Sequence, residues 1–213
     1  VYTEKADVPQ AQRLSVFVPK AYLSETGEIA KSGACGAYTA QNAPVVFENN
    51  AAGYMEMSNT HPGEERFFGA PYLARGMVYV TCGCRGRSSK NAQGEYVGKA
   101  PTTLVDFKTA IRFLRHNRAL LPGDWSRLVS VGFSAGGAMS ALLAVTGDHP
   151  DYDPYLRANG AYMEESDAVY AAQIYCPIID LEHADMAYEW QFGADPENEA
   201  SYAGPAETMT PFK

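Results

Sequence analysis

The amino-acid sequence predicts an α/β fold in which a mostly parallel β-sheet carries helices on both faces. Three observations support this prediction. Apolar runs rich in β-branched and aromatic residues alternate with segments of helical periodicity, and polar stretches rich in glycine and proline separate them. The apolar runs are short, as buried strands are. Because parallel strands need crossover connections, this alternation indicates strands joined by helices that pack on the sheet.

Five apolar runs are predicted to be strands, at residues 14–18, 45–47, 77–82, 128–132 and 171–179. The first closes on Pro19, which cannot donate a hydrogen bond to a neighbouring strand. The second breaks into the small-residue loop NNAAGY, and the third breaks into a polar loop that contains Arg85 and Arg87. The fourth run, LVSVG, is apolar enough to lie at the centre of the sheet.

Two segments are predicted to be helices. The first begins near Thr103, which forms the spacing of a capping box with Asp106, and it ends at a Pro-Gly pair. Its apolar residues recur at helical spacing, at Leu104, Phe107, Ile111 and Leu114. The second helix covers residues 135–145 and ends before a glycine and a proline.

The sharpest functional signal is the sequence GFSAG at residues 132–136, a GxSxG motif between a predicted strand and a predicted helix. In such an elbow the serine occupies a strained turn, and small neighbours are needed because the strand and the helix approach closely. Gly132, Gly136 and Gly137 supply them. The motif in this context predicts Ser134 as a nucleophile that attacks a carbonyl carbon.

A serine nucleophile needs backbone donors that hold the negative oxygen formed during attack. The residue after the nucleophile, Ala135, offers its N–H at the start of the helix, where the helix dipole also favours negative charge. The second donor is expected from the loop after the second strand, at Ala52 or Gly53. Tyr54, which follows, and Arg85, in the loop after the third strand, are candidate substrate-binding residues.

The elbow GFSAGG, the helix DFKTAIRFLRHN, the segment YLARGMVYVTCGCRGR and the stretch IYCPIIDLEHADMAYEWQF resemble the α/β-hydrolase superfamily. Within it, the chain is most similar to the bacterial tannase and feruloyl-esterase-like group. The resemblance implies hydrolysis of esters of gallic or related phenolic acids through an acyl-enzyme. It also implies that residues 1–180 are the first part of the hydrolase core, that residues 181–213 begin a lid, and that the last strands lie beyond Lys213.

In this fold the nucleophile is followed along the chain by an acid and then by a histidine. Asp180, at the end of the fifth strand, is an admissible acid, but His183 comes too early to be the base. His149 lies just past the helix after the elbow, away from the strand ends. We therefore expect the triad histidine beyond Lys213, and we expect residues 1–213 alone to be inactive.

Two further histidines precede the nucleophile. His61 follows the candidate oxyanion loop and could touch substrate. His116 lies in a basic helical segment with Arg112, Arg115 and Arg118, which reads as a solvated face.

Composition limits the partners. With 17 basic and 25 acidic residues the net charge is −8, which opposes binding to nucleic acid or to an anionic membrane. The four cysteines are too scattered for a disulfide scaffold or a zinc site and are expected to be free thiols. No metal or organic cofactor is implied, no run approaches the length of a membrane span, and the expected partner is a small ester. The cellular compartment stays open.

Two other functions remain open at this point. The same elbow serves serine exopeptidases, which would move the substrate from esters to peptides. A non-catalytic scaffold or binding module is the third possibility, because residues 1–213 contain no convincing base.

Overall fold

The computed structural model describes residues 1–30, 32–178 and 180. The strands are β1 (Leu14–Phe17), β2 (Ala34–Cys35), β3 (Tyr38–Thr39), β4 (Pro44–Asn49), β5 (Val78–Cys82), β6 (Asp124–Phe133) and β7 (Ala171–Tyr175). The α-helices are α1 (Ala70–Ala74), α2 (Thr102–His116), α3 (Ala135–Val145) and α4 (Asp153–Ala158). Short 3-10 turns occur at Lys20–Tyr22, Ala52–Tyr54, Arg118–Leu120 and Pro150–Tyr152.

The main sheet has the strand order β1-β5-β4-β6-β7. Only its first pair, β1 with β5, is antiparallel, and the other three pairs are parallel. β2 and β3 form a separate two-stranded hairpin. The predicted mostly parallel sheet is therefore confirmed, and the predicted strands correspond to the five strands of this sheet.

The core lies on both faces of the sheet. On one face, Phe47 and Val80 of the sheet pack with Phe107 of α2 and Leu143 of α3 in the larger apolar cluster. On the other face, a smaller cluster joins Val46, Tyr79 and Val131 to Tyr72 and Leu73 of α1. Because β4 and β5 have core residues on both faces, their side chains form continuous apolar runs, as expected for central parallel strands.

The predicted capping box at the start of α2 is wrong. The N-cap residue of the helix is Pro101, and no side chain caps it. The Thr103 hydroxyl donates to the Arg85 carbonyl oxygen at 2.8 Å, and the Asp106 carboxylate accepts from the Arg85 backbone N–H at 2.8 Å. A tertiary contact with the loop after β5 therefore replaces the local cap.

The basic side of α2 differs in part from the prediction: Arg112 is buried and Arg115 half-buried, whereas His116 and Arg118 are exposed as predicted. Asp167 is buried and accepts from Lys108 at 2.6 Å and from Arg112 at 2.7 Å. Arg115 donates to the carbonyl oxygens of Ser166 and Ala168, each at 2.7 Å. The chain between α3 and β7 thus folds back over α2 and pairs with its cations.

The residues from Val1 to Pro177 form one compact unit. The lid expected at residues 181–213 lies outside the described residues. No helix among the described residues combines the length and the apolar character that crossing a membrane requires. All four cysteines are free thiols, as predicted.

Candidate active site

The backbone at Ser134 is strained. β6 ends at Phe133, α3 begins at Ala135, and Ser134 between them has φ 55° and ψ −120°. A residue with a side chain in such a region costs on the order of 1–3 kcal/mol unless its surroundings hold it there. Its amide donates to the carbonyl oxygen of Tyr175 on β7 at 3.0 Å, and its side chain lies at the exposed carboxyl end of the parallel strands.

Three glycines allow this turn. A Cβ on Gly132 would lie 2.1 Å from the Gly136 oxygen, and one on Gly136 would lie 2.4 Å from the Asn49 oxygen. A Cβ on Gly137 would lie 2.5 Å from the Tyr175 oxygen. Each distance is far below van der Waals contact. The strand entering the turn, the helix leaving it and the neighbouring strands therefore approach one another as closely as only glycine permits.

The loop after β4 lies beside this turn. Ala51 is buried, Ala52–Tyr54 forms a 3-10 turn in which Gly53 has a φ of 59°, and α3 packs against that turn. Within the described residues, the backbone N–H groups of Ala52, Gly53 and Ala135 have no hydrogen-bond acceptor. Three backbone donors are thus free near the carboxyl end of the sheet, where parallel α/β folds place their ligands.

A buried polar network ties these segments together, and the sequence analysis did not find it. Nδ2 of Asn49 donates to the hydroxyl oxygens of Ser130 and Ser140, each at 2.7 Å, and these two oxygens are 3.0 Å apart. Asn49 closes β4, Ser130 lies within β6 and Ser140 lies on α3. The available signal was Ser130, a polar residue inside the predicted buried strand at residues 128–132. Buried polar groups need partners inside the protein.

Glu48 is a second polar residue that the sequence analysis missed. It precedes Asn49 on β4, so its side chain points to the opposite face of the sheet, towards Tyr79. Burial raises the pKa of Glu48 to about 7, although a hydrogen bond with Tyr79 lowers it in part. The carboxyl oxygen Oε2 has no partner among the described residues.

Exposed aromatic rings surround the turn. Phe133 precedes Ser134 and stacks on Tyr175, with ring centroids 4.6 Å apart. Phe68 lies against Phe133 at 5.6 Å. All three side chains are more than 40% exposed, at 48%, 44% and 42% for Phe68, Phe133 and Tyr175. An apolar, aromatic surface therefore adjoins the strained serine.

The structure corrects the expectation that Arg85 binds substrate. Its side chain is buried, and its guanidinium donates to Asp106 at 2.7 Å and to Asn159 at 2.8 Å and pairs with Asp7. Burial alone would lower the pKa of Arg85, but the hydrogen bonds and charge of Asp106 outweigh it and raise that pKa. Arg85 thus joins the exit loop of β5 to α2, and all three nitrogens of its guanidinium have hydrogen-bond partners.

Tyr54 also differs from its expected role. Its hydroxyl is buried without a partner among the described residues, and its ring packs against the main core. Burial raises the pKa of this hydroxyl. Its backbone oxygen accepts from the N–H of Arg87 at 2.7 Å. The Tyr54 hydroxyl is therefore not accessible at the surface of this loop.

The described histidines and Asp180 are exposed. His61 is exposed, and its Nε2 lies 3.1 Å from Nδ2 of Asn59. His149 is exposed at the turn after α3, and His116 stacks on Tyr162 with ring centroids 3.6 Å apart. Asp180 is exposed, and His183 lies outside the described residues. Any role of Asp180 as the triad acid therefore stays a prediction.

Within the described part of the chain, no three or more histidine, cysteine, aspartate or glutamate side chains are grouped so that they could hold a metal ion.

Comparison with known proteins gives the family of this chain and several similar proteins. Residues 39–205 match the family model described as BD-FAE, which covers more than half of the chain. Esterase LipQ of Mycobacterium tuberculosis is 33% identical over 89 residues, which make up 42% of this chain and 20% of LipQ.

Two solved structures are similar over most of the chain. The crystal structure of Fusobacterium nucleatum tannase aligns with a TM-score of 0.79 and 38% identity, over 90% of this chain and 39% of the tannase. A tannin acyl hydrolase in complex with ethyl gallate aligns with a TM-score of 0.75 and 40% identity, over 85% of this chain and 39% of that one. The chain thus spans about two fifths of the length of these structures.

Proposed function

The chain belongs to the BD-FAE family and has the α/β-hydrolase fold of the tannases, and on this premise we propose that it hydrolyses carboxylic esters through an acyl-enzyme on Ser134. One observation carries the proposal. Ser134 is held in a strained conformation between β6 and α3, with an unbonded N–H at Ala135 beside it. That arrangement supports Ser134 as the nucleophile and the Ala135 N–H as a donor to the negative oxygen.

The proposed reaction has two steps. Ser134 Oγ attacks the ester carbonyl carbon, its proton passes to a histidine outside the described residues, and the proton then leaves with the alcohol. The N–H groups of Ala135 and of Ala52 or Gly53 stabilise the negative oxygen of the tetrahedral intermediate. Water then cleaves the acyl-enzyme by the same route. Asp180 remains the candidate acid that orients the histidine.

We propose esters of phenolic acids as substrates. A similar protein is described in complex with ethyl gallate and another with 3,4-dihydroxybenzoate, both of which carry a hydroxylated aromatic ring. The exposed rings of Phe133 and Tyr175 next to Ser134 suit such a substrate, because aromatic pairs attract beyond the area they bury. A small neutral ester is also compatible with a chain whose net charge is −8.

The test is hydrolysis of ethyl gallate by the full-length protein and by its Ser134→Ala variant. We expect kcat to fall by a factor on the order of 10⁴ or more, because the variant cannot form the acyl-enzyme. Ser126→Ala is the matched control, since Ser126 is an exposed serine on the same strand. Undiminished hydrolysis by Ser134→Ala would contradict the proposal. Cleavage of an aminoacyl peptide in preference to ethyl gallate would move the substrate to peptides.

A further inference from the structure

The network of Asn49, Ser130 and Ser140 lies directly behind the strained serine. The three side chains are almost completely buried, with exposed fractions of 3%, 0% and 0%. Both hydrogen bonds from the Asn49 amide are short, at 2.7 Å. The network is therefore shielded from water and well formed, which is the condition under which buried hydrogen bonds fix the relative position of the segments they join.

Each member of the network belongs to a different part of the site. Ser130 lies on β6 four residues before Ser134, and Ser140 lies on α3 six residues after it. Asn49 is the last residue of β4 and precedes the loop that carries the free N–H groups of Ala52 and Gly53. One amide thus connects the strand that enters the turn, the helix that leaves it and the start of the oxyanion loop.

The backbone at Asn49 touches the same helix. Its carbonyl oxygen would lie 2.4 Å from a Cβ on Gly136, and the amide nitrogen of Ala51 would lie 3.8 Å from that point. The oxyanion loop therefore starts in direct contact with the first turn of α3. A shift of β4 relative to α3 would change the distance between the N–H of Ala135 and the N–H groups of Ala52 and Gly53.

Asn49 is also not an optimal residue for stability alone. Its amide oxygen Oδ1 is buried and has no partner among the described residues. Leaving a buried acceptor unpaired costs free energy, and replacing a whole buried polar network by apolar groups is often neutral or stabilising. An asparagine at this position is better explained by the geometry that its two hydrogen bonds impose.

We propose that Asn49 is a positioning residue that sets the spacing of the oxyanion donors on either side of Ser134. This inference rests on the proposed function, because the donors matter only if a negative oxygen forms between them. Their effect belongs to the transition state, so loss of the spacing should lower kcat while leaving KM nearly unchanged.

The test compares Asn49→Ala with Asn159→Ala in the full-length protein. Asn159 is a matched control because it is also buried, and its Nδ2 donates to Asp106 at 3.1 Å and to Thr109 at 2.8 Å in a network that does not contact the turn. We expect both variants to lower the melting temperature. Only Asn49→Ala should lower kcat for ethyl gallate per active serine, by about 10- to 100-fold, with KM within about twofold of the wild type.

A second variant covers the case in which Asn49→Ala does not fold. Ser140→Ala removes one of the two hydrogen bonds and should lower kcat by a smaller factor. Where both single variants fold, the double variant should lose less than the product of the two factors, because both changes break one network.

Active serine is counted by titration with a fluorophosphonate, which separates the two possible failures. If the wild type is labelled and hydrolyses the ester but Asn49→Ala and Ser140→Ala keep the wild-type kcat per labelled site, the positioning role is overturned and the proposed function stands. If the wild type is neither labelled nor active, the proposed function fails and this inference falls with it.

Discussion

Ser134 has a φ of 55°, which a residue with a side chain adopts only when its surroundings enforce it. The motif alone allowed this conformation to be predicted, because GxSxG followed by a third glycine is a local pattern with a direct steric meaning. Asn49, Ser130 and Ser140 could not be predicted as partners in the same way. Asn49 is 81 residues from Ser130 and 91 residues from Ser140 along the chain, and only the fold brings it to the two serines.

A methyl group at Gly136 should damage the site more than it damages stability. Gly136→Ala places a Cβ 2.4 Å from the Asn49 oxygen, so the oxyanion loop or the helix must move. We expect kcat for ethyl gallate to fall at least about 100-fold, as expected when the oxyanion donors are misplaced. The free energy of unfolding, measured with urea, should fall by about 1–3 kcal/mol.

Gly94→Ala is the control for this substitution. Gly94 has a φ of 82° but nothing within 4 Å of an added Cβ, so the variant carries backbone strain without a clash. It should lose some stability and keep its kcat. Wild-type kcat in Gly136→Ala would show that the close approach of the loop to α3 does not matter for the reaction.

Glu48 should make stability depend on pH. Burial raises its pKa from an ordinary value of 4.5 to about 7, so between these values the folded state binds more protons than the unfolded state. Stability contributed by Glu48 therefore falls as pH rises from about 4.5 to about 7, by roughly 3 kcal/mol in total. Glu48→Gln removes this loss, so the variant should gain stability relative to the wild type between pH 5 and pH 8.

Urea denaturation at pH 5 and at pH 8 measures this gain. Glu65→Gln provides the comparison, because Glu65 is exposed and its substitution should change stability by a similar small amount at both values. If the difference between Glu48→Gln and wild type does not grow with pH, the carboxyl of Glu48 is not held in the environment that the structure gives it.

The secondary-structure elements were predictable where burial determines the sequence pattern. The apolar runs at residues 45–47, 78–82 and 128–132 follow from burial within the sheet, whereas the polar start of β6 at residues 124–127 was not predicted as strand. α3 was predicted with its observed bounds. The start of α2 was predicted incorrectly. Thr103 and Asp106 bond to Arg85, in the loop after β5, and do not cap the helix. Likewise the burial of Arg112 was not predicted, because its partner Asp167 is 55 residues away along the chain.

At α2, one buried carboxylate pairs with two buried cations, and Arg112 also pairs with the half-exposed Asp148 at 3.4 Å. Asp167 pairs with Lys108 and Arg112, whose side chains are 0% and 5% exposed. Asp167→Ala would leave both charges buried without this partner, and we expect the free energy of unfolding to fall by about 3–5 kcal/mol. Urea denaturation at neutral pH measures the loss.

The matched control for Asp167→Ala is Glu164→Ala. Glu164 pairs with His116 at 3.3 Å, but its side chain is 62% exposed. Exposed pairs contribute about 0–1 kcal/mol, so this variant should be nearly as stable as the wild type. Equal losses in the two variants would mean that the chain between α3 and β7 does not depend on the buried carboxylate.

For the molecule as a whole, the alternation of strands and helices was sufficient to predict the mostly parallel sheet. Ser134 and Ala135 belong to one local motif, so they could be proposed as site residues directly from the sequence. The role of Arg85 could not be judged, because a polar loop residue looks alike in the sequence whether it faces substrate or a buried carboxylate. In the structure its partner Asp106 is completely buried.

The proposed ester hydrolysis depends on Ser134 being the reactive group, and locating a covalent adduct tests this most directly. The full-length protein is treated with a fluorophosphonate and digested, and the modified residue is identified by mass spectrometry. We predict a single adduct on Ser134, which denaturation before treatment prevents and which is absent from Ser134→Ala. An adduct on another residue, or labelling that persists in Ser134→Ala, would contradict the account.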